Sequence, residues 1–123
     1  MLKEGLKYTS RLVVTEAVTA AKMGSGDMAV LATPAMLALM ENAAMLAVAG
    51  HLPEWATTVG GHIASSHVKP TALGGEVTAT ATLTKVEDRK LYFEVTAHEG
   101  DALLGEGTHL RFIVDREKFM SKL

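Results

Sequence analysis

The chain predicts an α+β fold in which a curved antiparallel sheet wraps one long central helix, and three observations predict it. From Pro34 to Ala49 the sequence is apolar on nearly every side, broken only by Glu41 and Asn42, as a buried helix requires. Four strand-like segments follow that helix, each bounded by Gly, Pro or charged turns. No alternation of strands with helices occurs, which excludes a doubly wound parallel sheet, and a single long helix excludes a bundle.

In chain order, Leu6 to Thr15 mixes Tyr, Thr, Leu and Val and reads as the first strand, and Met23-Gly-Ser-Gly-Asp27 reads as a loop. Thr33 ahead of Pro34 predicts a capped helix start and Gly50 its stop, giving a helix over about residues 34 to 49. After a turn at His51-Leu-Pro-Glu54, strands are predicted over Val59–Lys69, Glu76–Val86, Leu91–His98 and Leu103–Val114. In the second of these, Val77, Ala79, Ala81 and Leu83 alternate with Thr78, Thr80, Thr82 and Thr84, the period of a sheet with one apolar face. Glu87-Asp-Arg-Lys90 then predicts an antiparallel hairpin. One sheet covers only one side of a helix that is apolar all round, so its remaining face predicts burial against a second copy, a homodimer or a dimer of dimers.

Composition narrows the function classes. The 123 residues, 48% hydrophobic and 21% charged, suit a single domain over residues 1–123. Twelve basic residues against fourteen acidic ones, with no basic block, point away from nucleic acid as a partner. The absence of cysteine removes disulfides, thiolate nucleophiles and Cys-based zinc sites, leaving oxygen and nitrogen groups for any chemistry. The N-terminal residues lack a signal-peptide apolar core, and the Pro34–Met40 run is too short to span a bilayer, so a cytoplasmic location without a membrane partner is expected.

Glu41 is the leading candidate for chemistry, since Glu is rarely buried without a partner and a lone carboxylate in an apolar helix marks a cavity, an interface or a reaction site. A neighbour must hold such a carboxylate ionised if it is to act as nucleophile or general base, and Thr or His would serve. Thr33 by itself reads as a helix cap; its other reading places the hydroxyl, or the first free amides of the helix, against a reacting carbonyl. The eight-residue step from Thr33 to Glu41 is about 12 Å along a straight helix, so on one straight helix they cannot touch: either the helix begins later than the capping signal suggests or, the favoured reading, the working partner of each Glu41 comes from the other subunit. His67, placed on the first strand after the helix, has an odd spacing from His62 that puts them on opposite faces unless a bulge intervenes, which weakens a two-His metal site. Arg111 and His109 share one face of the last strand opposite Leu110, Phe112 and Val114, and Arg111 is either solvated or an anion contact. Gly60 and Gly61 suit either a close-passing ligand or a bulge, while His51 and His98 read as surface residues.

Ala32-Thr-Pro-Ala-Met-Leu-Ala-Leu-Met-Glu41, the Gly60 to His67 strand, and Gly107-Thr-His-Leu-Arg111 with Glu117-Lys-Phe119 together resemble the single-domain hotdog-fold acyl-CoA thioesterases, within them the fluoroacetyl-CoA thioesterase branch. The resemblance covers nearly the whole chain, and it implies a hotdog fold, a dimer with active sites at its interface, and hydrolysis of an acyl-CoA thioester by water. It puts Thr33, Glu41 and His67 at the catalytic positions, Gly60 near the thioester carbonyl and Arg111 at the closing-strand arginine, which would then contact a CoA phosphate. It implies neither metal nor cofactor, coenzyme A being part of the substrate. The Glu16–Ala32 segment departs from the branch, being shorter than its lid and lacking its aromatic residues. Two other classes share the fold: a hydratase or dehydratase, and an acyl-CoA-binding dimer without turnover.

Overall fold

The computed structural model describes residues 2–123. Five antiparallel strands, β1 (Lys7–Val13), β2 (Ala56–Ser65), β3 (Glu76–Glu87), β4 (Lys90–Glu99) and β5 (Ala102–Asp115), form one sheet in the order β1-β3-β4-β5-β2. A single turn of 3-10 helix (Glu16–Val18) and a one-turn helix α1 (Ala20–Met23) lead into the central helix α2 (Thr33–Ala49), and a short α3 (Arg116–Ser121) closes the chain.

The alternation read in β3 is the observed one, with Val77, Ala79, Ala81 and Leu83 fully buried beneath α2. Leu91, Phe93, Val95 and Ala97 of β4 continue that face, and Met36, Met40, Ala43, Ala44 and Val48 of α2 complete the core. The predominance of Ala on this side of α2 lets backbone and sheet approach closely, with the flexible Met side chains filling the gaps. The β3–β4 hairpin turns at Asp88 and Arg89, Asp88 taking a left-handed φ of 55° that Asp tolerates better than most residues.

Three expectations are corrected. Thr33 is the first helical residue rather than the cap; Ala32 occupies the cap position without a side-chain bond, and the Thr33 hydroxyl is used elsewhere. The strand expected over Val59–Lys69 runs instead from Ala56 to Ser65, so His67 stands in the loop beyond it. Its end coincides with a close approach: a Cβ on Gly105 or Gly107 would strike the carbonyl oxygens of Ser66 and Ala64. The ladder gives way there to separate hydrogen bonds from Ser66 N to Glu106 O and from Val68 N to Leu104 O. Third, of the two readings of Arg111 the solvated one falls and the anion contact stands, with Glu41 as the anion: His109 and Arg111 point inward, 2% and 7% exposed, while Leu110 and Phe112 lie on the outer side.

Two features face outward. The exposed ridge of α2 carries Ala38, Asn42, Leu46 and Ala49, and β2 ends the sheet with its outer edge unpaired among the described residues.

Candidate active site

The polar side chains of α2 divide into two groups. At its first turn, Thr33 Oγ1 lies 2.7 Å from His67 Nδ1. The loop that carries His67 is tied to the sheet through Val68 N to Leu104 O at 2.7 Å, and Leu31 N bonds Thr71 O at 2.9 Å, so both partners rest on anchored backbone. Burial holds the His67 pKa below the ordinary imidazole value, with the Lys69 backbone opposing, so the ring is neutral near pH 7. In the tautomer that carries its hydrogen on Nε2, the neutral ring accepts from the Thr33 hydroxyl at Nδ1. That Nε2 is buried and has no hydrogen-bond partner among the described residues.

Two turns along, Glu41 leans toward the sheet and its Oε2 comes within 3.9 Å of Arg111 Nη1. The guanidinium is held on its other sides, Nε donating to Thr58 Oγ1 at 2.8 Å and Nη2 to the Thr58 carbonyl at 2.9 Å. His109 Nδ1 donates to the His62 carbonyl at 2.6 Å, which leaves Nε2 to accept from Arg111 Nη1 at 3.2 Å. Burial, and then the adjacent Arg111, keep the His109 pKa low, consistent with a neutral ring that serves as acceptor. Burial likewise lowers the Arg111 pKa, with Glu41 opposing, yet a guanidinium so lowered keeps its charge at neutral pH.

Backbone geometry sets where the carboxylate lies. β2 carries a bulge between Gly60 and His62, and a Cβ on Gly60 would come within 2.8 Å of Glu41 Oε2. Of the two readings of this glycine pair, the bulge is therefore present and the close neighbour at Gly60 is the chain's own carboxylate. Glu41, Gly60, Thr58, Arg111, Ala38 and Asn42 line a common cavity of about 430 Å³. A second cavity of about 290 Å³ holds Thr33 and His67 together with Lys69 and Ser25.

Within one subunit, then, Thr33 meets His67 and Glu41 meets Arg111 and Gly60, while the two groups stand eight residues apart on one helix, about 12 Å along its axis. Thr58 and Ser10 were missed by sequence reasoning, and His109 was placed beside Arg111 on one face of the strand without a role. His109 and Arg111 had a signal in their i, i+2 spacing, but nothing in Thr58 itself announced a contact 53 residues away. Ser10, 6% exposed, donates to Asn42 Oδ1 at 2.7 Å and turns the amide beside Glu41.

Comparisons with known proteins agree with this architecture. The family model described as fluoroacetyl-CoA-specific thioesterase, FlK, matches residues 14–117. A fluoroacetyl-CoA thioesterase of Streptantibioticus cattleyicolor is 40% identical over 94 residues, covering 76% of this chain and 68% of that protein. A solved structure of the fluoroacetyl-CoA thioesterase FlK superposes with a TM-score of 0.92 at 34% identity, covering 99% of this chain and 95% of that one. A thioesterase superfamily member from Thermus thermophilus superposes with a TM-score of 0.89 at 26% identity, covering 98% and 89% of the two chains. The curled five-stranded sheet around α2 is thus a hotdog fold, and the chain belongs to the fluoroacetyl-CoA-specific thioesterase family.

Proposed function

We propose that this protein hydrolyses an acyl-CoA thioester to a carboxylic acid and coenzyme A, at sites that each join Glu41 of one subunit to Thr33 and His67 of another. The observation that carries the reading is the division of polar groups along α2. His67 Nε2 has no hydrogen-bond partner among the described residues, and Glu41 presents a carboxylate whose side chain is 41% exposed. Each group has what the other lacks, and a two-fold axis across the open ridge of α2 would bring His67 of one subunit to the partner subunit's Glu41.

In this site the Glu41 carboxylate accepts a proton from water as the oxygen adds to the thioester carbonyl carbon. The tetrahedral oxyanion then re-forms its carbonyl, the C–S bond breaks, and the proton passes to the departing thiolate sulfur. Thr33 and His67 fix the carboxylate's orientation, while backbone amides at Gly60 or at the start of α2 stabilise the oxyanion. Arg111 is read as acting through Glu41: its four described contacts and 7% exposure support a role in setting the carboxylate over one in contacting a CoA phosphate. No cofactor enters the scheme, and coenzyme A is supplied by the substrate.

Thiol release from a panel of acyl-CoA esters, measured for wild type and Glu41→Gln, tests the proposal. Release should fall by about a thousand-fold or more in the variant, with its unfolding midpoint preserved. Unchanged release in the variant sinks the assignment, and esters bound but returned intact by the wild type would make the protein an acyl-CoA-binding module.

A further inference from the structure

We infer that the acyl group this protein accepts is an apolar chain longer than acetyl, lying in a groove between β1, α2 and the turn of 3-10 helix that precedes it; the inference rests on the thioesterase reading above. The groove, of about 330 Å³, is walled by Leu12, Val18, Met23 and Leu39, with Ala17 at its outer rim. Asn42 supplies the only hydrogen-bonding side chain of the lining, and its Oδ1 is already occupied by Ser10. A liquid water molecule fills about 30 Å³, so the volume far exceeds what a two-carbon group needs, and walls of this kind offer water almost no hydrogen bonds.

Continuity with the Glu41 cavity decides the occupant. Ala38 and Asn42 line both cavities, so a ligand with its carbonyl beside Glu41 has its tail directed over Ala38 into the groove. Ala38 is small, so its own side chain does not block the passage between them. The Glu16–Val18 turn and α1 contribute Ala17, Val18 and Met23 and no aromatic side chain, so on this wall only the flexible Met23 limits the length of the groove.

Steady-state hydrolysis of acetyl-, butyryl-, hexanoyl- and octanoyl-CoA provides the test. Each methylene moved from water into an apolar site is worth about four-fold, so kcat/KM should rise by about ten-fold or more from acetyl to hexanoyl. Ala17→Trp, which fills the groove from its exposed rim, should lower the hexanoyl-to-acetyl ratio by at least about ten-fold. Met23→Ala, on a half-exposed position, should move the optimum to a longer chain and reads the same groove if the tryptophan variant misfolds. A wild-type preference for acetyl, or a chain-length profile indifferent to both variants, overturns the inference while leaving Glu41-dependent hydrolysis intact. A tryptophan variant that changes the oligomeric state but not the profile assigns the groove to a subunit contact and overturns it as well.

Discussion

At the scale of single residues, two histidines and one arginine carry most of the electrostatic consequence. His67 and His109 are both held below the ordinary imidazole pKa, chiefly by burial. On acidification the unfolded chain takes up those protons before the native state does, so their contribution to stability is complete above a pH of about 6.5 and is lost as pH falls below it. The urea midpoint should therefore be lower at pH 5.5 than at pH 7.5, and the acidic limb of kcat/KM should lie below about 6.5 because protonated His67 cannot accept from Thr33. An equal midpoint at both pH values would contradict this account. Arg111→Met removes the donors that serve the Thr58 carbonyl and His109 Nε2, and should cost about 2–4 kcal/mol of stability by urea titration. It should also lower kcat more than it raises KM, the reverse of what loss of a CoA phosphate contact would do.

At the scale of elements, glycines in β2 and β5 set where strands bend and where they stop. Gly60→Ala drives a methyl group toward the Glu41 carboxylate, and kcat should fall about ten-fold or more because the carboxylate must move. Gly107→Ala instead drives one into the Ala64 backbone carbonyl and should destabilise the fold by more than about 2 kcal/mol, so thermal melts of the two variants separate the roles. These elements also show what the sequence discloses and what it hides. The Pro34–Ala49 apolar run and the Val/Ala against Thr alternation of β3 fix their own periodicity, so α2 and β3 were legible to within a residue or two. The start of β2 at Ala56 was hidden because it depends on pairing with Asp115, a contact 59 positions away that leaves no local pattern. Thr33 and His67 were legible as candidates, yet their direct hydrogen bond was not, since His67 reaches Thr33 only because β2 stops at Ser65. The short α3 did carry an unread local signal, Asp115 accepting from Lys118 N with Glu117 in the first turn.

At the scale of the whole molecule, a β2 edge left unpaired among the described residues and the open ridge of α2 flank the Glu41 cavity. Both are surfaces that a second copy would cover, and on the proposed site the second copy also completes the chemistry. A mixing experiment follows directly. Glu41→Gln and His67→Ala subunits, each inactive alone, should regain about a quarter of wild-type turnover when unfolded and refolded together at equal amounts, because half of the dimers are mixed and each has one intact site. No recovery, with mixed dimers verified by mass, would mean that each subunit uses its own Glu41 and His67.

The eight-residue step on α2 has a further consequence, because a rigid helix offers no rotamer that closes a gap of about 12 Å. On the proposed site, turnover per subunit then becomes a function of protein concentration. Below the dissociation constant of the pair, dilution should abolish activity faster than it unfolds any chain. A ligand spanning the seam would hold the pair together by mass action, so saturating substrate should push that loss to lower concentrations.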